Sequence, residues 1–499
     1  LWAVLRPDRP LNAMLHQVKQ SSSIMHPPLV YALLALASLP VALLLTWLGP
    51  MWVLAAALAG LGLIVVLLTW PASGLWVIIL AAGANRYELT IGGFSLYAEY
   101  LALALVGTLL AVDVVAGRRR WRWPLTGWPL LAWLVIGLAA SLMHAPNVTN
   151  SLALWTKLVL VVAIYLVTAN LASAEPAPGA PGRWRNLDAN QAAWVQMLIG
   201  AGVAAFGLLS AVAWPLLHLN LGVVFKTDGG FVPTGSQWEP NIYGSYCLAV
   251  ALLALPISLA VGRLPWRWRL AAWAALLFGL GGLVASLTRT AWLGFALAGS
   301  LALIAWAWRH PRTALVAGAG LGLVGLCLVA LFGWSDLRFL VPQVDLSSGG
   351  ALAQRLATFG NLADDGNVWV RGQILRHALS VWPQHPWIGW GIGAYSQVYY
   401  YPNANTTSWI PSLFIHQLYN TGILGLGAFV LALALAGWRG FQAWRQAHGL
   451  PRAVLGGLLL ALVGLLAAFQ ATEASWLAYF WIYLGLLEAM AAPILERAA

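Results

Sequence analysis

The residues best equipped for chemistry sit in four short segments. Ser286-Leu287-Thr288-Arg289-Thr290-Ala291-Trp292-Leu293-Gly294 places one arginine between two apolar runs. A guanidinium offers a rigid fork of donors that matches phosphate oxygens, so Arg289 reads as an anion clamp. An arginine snorkelling to a membrane interface is the alternative. In Asn367 to Trp382, the residues Val370, Ile374, Ala378 and Trp382 recur four apart. That spacing predicts an amphipathic helix lying on a membrane or on a helix bundle. Arg371 shares a neighbouring stripe with Leu375 and Leu379, and a cation at the head of an apolar stripe suits an amphiphile with an anionic head. Arg376 lies on the same helix, and the bland reading of both arginines is solvation. His416, in Ile415-His416-Gln417-Leu418-Tyr419-Asn420-Thr421-Gly422, stands where a long polar loop enters an apolar run. Histidine accepts protons near neutral pH, so it is a candidate general base. Any single histidine is more often structural, and His416 is singled out by its position. In Glu239-Pro240-Asn241, Pro then Asn reads first as a helix start, with Glu239 as a cap or a ligand for sugar hydroxyls. Lys157, six residues into an apolar run, either points at the same anion or pairs with a carboxylate. Asn241 and Tyr419 complete the candidate substrate contacts.

These residues must be held by elements of one kind. Of the 499 residues, 61% are hydrophobic and only 8% charged. A soluble domain carries about 25% charged residues. The composition excludes a soluble enzyme, a disordered chain and a nucleic-acid-binding protein. Apolar runs of about 20 residues, long enough to span a bilayer, fall at 28–49, 51–70, 72–85, 93–116, 126–143, 151–171, 191–213, 241–262, 268–286, 290–309, 313–333, 412–437, 451–471 and 474–492. The third is short enough for a half-helix, so 12–14 spans are expected. The fold class is all-α, a polytopic transmembrane bundle. Its expected organisation is a cytoplasmic N-terminal segment 1–27, membrane helices over 28–333, one large extracytoplasmic loop 334–411 carrying catalytic elements, and C-terminal helices over 412–499. A loop that long, with no structure of its own, is uncommon unless it carries function. Residues 1–27 lack the apolar core of a cleavable signal peptide.

The net charge of +11 sorts by loop. With residues 1–27 inside, 18 of the 26 cations fall on the inner side, seven outside, and Lys157 within a run. Lysine and arginine collect on the cytoplasmic side, so this orientation is expected. Five of the seven outer cations, Arg289, Arg338, Arg355, Arg371 and Arg376, lie in one stretch that topology does not explain. Cys247 and Cys327 form no framework, and neither a phosphate-binding loop nor a helical His/Glu metal pair is present. No cofactor and no metal are expected.

The arginine in Ser-x-Thr-Arg-x-Ala-Trp, the arginine-bearing helix running into His385-Pro386-Trp387-Ile388-Gly389-Trp390-Gly391, and a histidine opening the next helix together resemble the O-antigen ligase / O-antigen polymerase family. Glu239-Pro240-Asn241 resembles that family's upstream Pro-Asn segment. The likeness covers residues 236–430. It implies a GT-C-like membrane glycosyltransferase in a bacterial inner membrane. Such an enzyme takes a glycan from an undecaprenyl-pyrophosphate carrier and gives it to a glycan, lipid or protein acceptor. It implies His416 as general base, Arg289 and Arg371 on the pyrophosphate, Arg355 and Arg376 in reserve, inversion at the anomeric carbon, and no metal. The family often has Asn after this His and Glu before the Gly; Gln417 and Thr421 stand there. A polymerase or a protein O-oligosaccharyltransferase of the same family differs only in its acceptor. A flippase is the rival from another class, but transporters usually show internal repeats and none is visible.

Overall fold

A computed structural model describes residues 73–86, 88–91, 94–117, 119–173, 189–225, 231–260, 264–309, 366–399 and 409–497, with a few isolated positions before residue 73. The chain divides into two compact units, Leu1–Trp70 and Pro71–Ala499. The first lies almost wholly outside the described residues, and with it the expected runs 28–49 and 51–70. The run 313–333 and Arg338, Arg355 and Cys327 also lie outside them.

In hydrocarbon every backbone N–H and C=O must be bonded within the protein, so apolar runs of this length become helices. The second unit opens with α1 (Gly74–Ala82), a hairpin of β1 (Glu88–Ile91) and β2 (Phe94–Tyr97), and then α2 (Ala98–Val115), α3 (Gly127–Met143), α4 (Val148–Ser173) and α5 (Ala189–Leu217). A second hairpin, β3 (Val223–Phe225) and β4 (Phe231–Pro233), precedes α6 (Pro240–Leu259), α7 (Trp266–Ala285) and α8 (Arg289–Arg309). Beyond the undescribed stretch come α9 (Gly366–Val381), the single turn α10 (Tyr395–Val398), α11 (Leu413–Gln446), α12 (Gly449–Ala468) and α13 (Ala478–Glu496). Eight of these helices are long and apolar enough to cross a membrane. At 1.5 Å per residue the nine residues of α1 cover about 13 Å, under half of a hydrocarbon core of about 30 Å. It falls on the short run 72–85, whose length suits a half-helix or a re-entrant segment.

Two helices form the core. The apolar stretches of α6 and α13 are 83% and 78% buried, against 39–44% for the other spans. α6 packs against α7 and α12, and α13 against α4 and α11. α8 crosses α12 where Gly294 meets Gly464: a Cβ on Gly294 would lie 2.5 Å from the Gly464 carbonyl oxygen. Small residues let membrane helices approach this closely. The alternation of helix directions gathers both hairpins, α9, the start of α11 and the 469–477 turn at one end of the bundle. The other end carries Arg119, Arg122, Arg267, Arg269, Arg439, Arg445 and Arg452. Three arginines near that end are paired: Arg119 with Asp113 at 3.8 Å, Arg122 with Glu496 at 3.2 Å, and Arg439 with Glu488 at 3.0 Å.

α11 is not one continuous helix. Gly422 has φ 63° and ψ −168°, which breaks the ladder where residues 423 and 424 would donate to residues 419 and 420. All four orphaned groups are taken up by the 386–391 loop. Ile423 N donates to Pro386 O at 2.9 Å and Leu424 N to Trp387 O at 3.1 Å; Trp390 N donates to Tyr419 O at 2.9 Å and Gly391 N to Asn420 O at 3.0 Å. The loop thus closes the break as an added strand would. The fit is tight on both sides. A Cβ on Gly422 would sit 2.3 Å from the Trp387 carbonyl, and one on Gly389, at φ 79°, 2.5 Å from the Asn420 backbone.

Gly422→Ala should therefore destabilise by roughly 1–3 kcal/mol through backbone strain alone, and by more if the loop is expelled. Thermal unfolding in detergent should show a lowered Tm for Gly422→Ala and Gly389→Ala. An unchanged Tm for both would contradict the docked loop.

Candidate functional site

His416 sits in the first turn of α11. Ser412 caps that turn, its Oγ accepting from Ile415 N at 3.5 Å and donating to Gln470 Oε1 at 3.2 Å. Leu413 N donates to Phe469 O at 2.8 Å. The turn is thereby fastened to the 469–477 connection, and that connection brings Glu473. The charge of the Glu473 carboxylate reaches His416. Ser475 fixes that carboxylate: its backbone N donates to Glu473 Oε1 at 2.7 Å and its hydroxyl donates to the same oxygen. The His416 ring is only 4% exposed and lies against Trp409, with centroids 5.8 Å apart and planes 25° apart.

Buried polar atoms without a partner concentrate here. His416 Nδ1, Gln417 Nε2, the Tyr419 hydroxyl and both side-chain heteroatoms of Asn420 have no hydrogen bond among the described residues. Over 90% of buried polar groups in folded proteins are paired. Five such atoms fall on little more than one turn, residues 416–420. Tyr419 is held by stacking on Trp390 and by an edge contact with Tyr395.

Arg289 is presented by a strained turn. Leu287 adopts φ 52°, a left-handed conformation unusual for leucine. The surrounding residues of the motif hold it. Ser286 Oγ donates to Leu283 O at 2.8 Å, Trp292 Nε1 to Leu283 O at 2.8 Å, and Thr288 Oγ1 to Pro240 O at 3.0 Å. The last bond ties the start of α8 to the start of α6, and so Arg289 to the neighbourhood of Glu239. Pro240 occupies the first turn of α6 as expected. Glu239 is at the cap position, but its side chain makes no capping bond. Burial raises its carboxyl above the usual range, while the Asn241 side chain and the Arg371 charge pull it back. Glu239, Asn241 and Arg371 are thus neighbours, and Arg289 enters beside them. The Glu239 charge also acts on Tyr479, whose hydroxyl shares a 2.7 Å hydrogen bond with Ser245. Tyr479 is in the first turn of α13, just after the connection that carries Glu473.

α9 lies on the bundle, with Ile374 and Ala378 buried in a cluster with Tyr395, Ile410 and Tyr419, and Val370 and Trp382 packed at its edge. Arg371 is half-buried on it. Arg376 is exposed and its Nε donates to Gly372 O of its own helix at 3.3 Å, away from the cluster. Lys157 is on α4. Its Nζ is 5.2 Å from the Tyr97 ring centre, and it interacts with Glu88 and Glu99. Of the two sequence readings, it takes the carboxylates. Arg355 lies outside the described residues. Among those residues no three His, Cys, Asp or Glu side chains gather as a metal set.

Residues 274–430 match the family model described as O-antigen ligase. That stretch is an O-antigen ligase family segment. It contains Arg289, Arg371 and His416 and stops short of Glu239–Asn241, where the resemblance runs on beyond the match. No curated protein matches the chain. The match spans 157 of the 499 residues, and together with the eight apolar helices it supports a multi-pass membrane protein similar to enzymes of the ligase/polymerase type.

The Leu287 turn yields a test of the Arg289 presentation. Leu287→Gly suits φ 52° and should leave the Tm unchanged or raise it by up to about 1 kcal/mol in stability. Leu287→Val, β-branched, should lower it. The reverse order would show that the turn is not strained.

Proposed function

We propose that the chain is an inverting glycosyltransferase of the O-antigen ligase type. Its donor is a glycan on undecaprenyl pyrophosphate, its acceptor carries a hydroxyl, and its site opens on the outer face of the bacterial inner membrane. The observation that carries this reading is the turn of orphaned polar atoms around His416, together with two half-buried arginines in the matched stretch. His416 takes the proton of the acceptor hydroxyl. The freed oxygen attacks the anomeric carbon, the bond from that carbon to the pyrophosphate oxygen breaks, and its electron pair leaves with the pyrophosphate. Arg289 and Arg371 neutralise the charge that develops there, in surroundings where water is partly excluded and such interactions are strong. Glu239 and Asn241 contact donor sugar hydroxyls beside them, and Tyr419 donates to a substrate oxygen. Glu473 holds the imidazolium once the proton has moved, the role a carboxylate plays beside a general base. Arg376 and Arg355 stay in reserve as contacts to the lipid-linked phosphate. Inner-end arginines outnumber those at the site end, which supports a cytoplasmic N-terminus.

Purified full-length protein, an undecaprenyl-pyrophosphate glycan and an acceptor extract test this. His416→Ala should cut transfer by roughly 10²–10⁴-fold. Retained turnover would remove His416 as base. Arg289→Ala and Arg371→Ala should each weaken donor affinity by roughly 10–100-fold, the weight of a charge-assisted contact; unchanged affinity in both would remove the clamp. Glu473→Gln should lower kcat with both KM values held. Turnover should persist in a chelator, and its loss would contradict charge neutralisation by arginine alone.

A further inference from the structure

A cleft of about 500 Å³ opens beside His416, lined by Asn147, Asn150, Leu154, Ser396, Gln397 and Trp409 among others. Its volume falls within the range of small-ligand sites, roughly 300–1,000 Å³. Three features define what it takes. Among the described residues, none of the lining side chains is charged. Its polar groups are amides and a hydroxyl, which both donate and accept and so match sugar hydroxyls. Trp409, 40% exposed, adds an aromatic face, and flat amphipathic rings suit a sugar's apolar face.

The lining is preorganised. Asn147 caps α4, its Oδ1 accepting from Asn150 N at 3.0 Å. Gln397 bridges α10 to α4: its Oε1 accepts from Asn147 N at 2.9 Å and its Nε2 donates to Ser151 Oγ at 3.0 Å. Ser396 Oγ donates to Gly393 O at 2.8 Å and keeps its lone pairs. Trp409 is the wall shared with the base, its ring stacked on that of His416. The arginines belong to α8 and α9, neither of which contributes to the lining.

We propose that this cleft is the acceptor subsite, binding a neutral sugar ring beside Trp409, the residue whose ring packs on His416. The assignment rests on the transferase reading above. A base draws its proton from the acceptor, and the uncharged pocket that shares a wall with the base is therefore the acceptor's place. The donor, anchored by its pyrophosphate, belongs to the arginine side.

Two measurements on the full chain in nanodiscs test it. Saturation-transfer NMR with neutral methyl glycosides (glucoside, galactoside, mannoside, rhamnoside) reads the cleft without any transfer. At least one should bind wild-type protein, and Asn150→Leu and Trp409→Ala should abolish its signal. No binding by any of the four, or binding unaffected by both variants, would overturn the proposal. In steady-state transfer, Trp409→Ala should raise acceptor KM about tenfold, the weight of one stacking contact plus its burial. Trp409→Phe should restore most of it, and donor KM should stay within twofold. A rise in donor KM alone would assign the cleft to the donor glycan and overturn the proposal. If the wild-type chain transfers nothing from a lipid pyrophosphate, the transferase reading falls, while the NMR result still decides whether the cleft binds sugar.

Discussion

The site depends on one break in one helix. A membrane helix cannot leave two N–H and two C=O groups unpaired in a poorly hydrated interior. Gly422 opens such a gap in α11, and the 386–391 loop closes it with four backbone hydrogen bonds. The exchange fixes three things together. The first nine residues of α11, with His416, are set apart from the long helical body that follows. The loop that ends α9 is pinned to the bundle, which seats Ile374 and Ala378 on Tyr419 and Tyr395 and so carries Arg371 inward. Trp390, held by the same ladder, stacks on Tyr419. Geometry around His416 is a consequence of repairing the helix.

Around that anchor the chemistry is divided by charge. One side gathers Arg289, Arg371, Glu239 and Asn241 at the starts of α8 and α6 and on α9. The other is the uncharged cleft of Asn147, Asn150, Ser396 and Gln397, with Trp409 between it and His416. A transfer from a charged carrier to a neutral hydroxyl needs this asymmetry. Strong donors belong where negative charge develops, and an anion-free pocket belongs where the nucleophile waits. The strained Leu287 turn and the orphaned atoms of Tyr419 and Asn420 are local costs of this arrangement.

Much of this was legible in the sequence, for physical reasons. Apolar runs near 20 residues become helices, and the four-residue recurrence of Val370, Ile374, Ala378 and Trp382 became the inward stripe of α9. Arg289, Arg371 and His416 were legible because a cation or an imidazole at an apolar boundary is costly enough to stand out. What could not be read is non-local. Gly422 sits inside the expected span 412–437, and nothing nearby reveals that a loop more than thirty residues upstream completes its hydrogen bonding. The relation of Glu473 to His416 is equally non-local, because it is made by the Ser412–Gln470 and Leu413–Phe469 bonds. Lys157 was ambiguous until Glu88 and Glu99 were placed beside it. The cleft draws on residues some 250 positions apart and has no motif at all.

The central claim is a single displacement at the anomeric carbon, driven by His416 and released onto an arginine-held pyrophosphate. The most direct measurement is the anomeric configuration of the new glycosidic bond. Purified protein would be given an undecaprenyl-pyrophosphate glycan of known configuration, and the product examined by NMR. One displacement predicts inversion. A product that retains the donor's configuration would require a covalent glycosyl-enzyme or a second displacement, and would contradict the account.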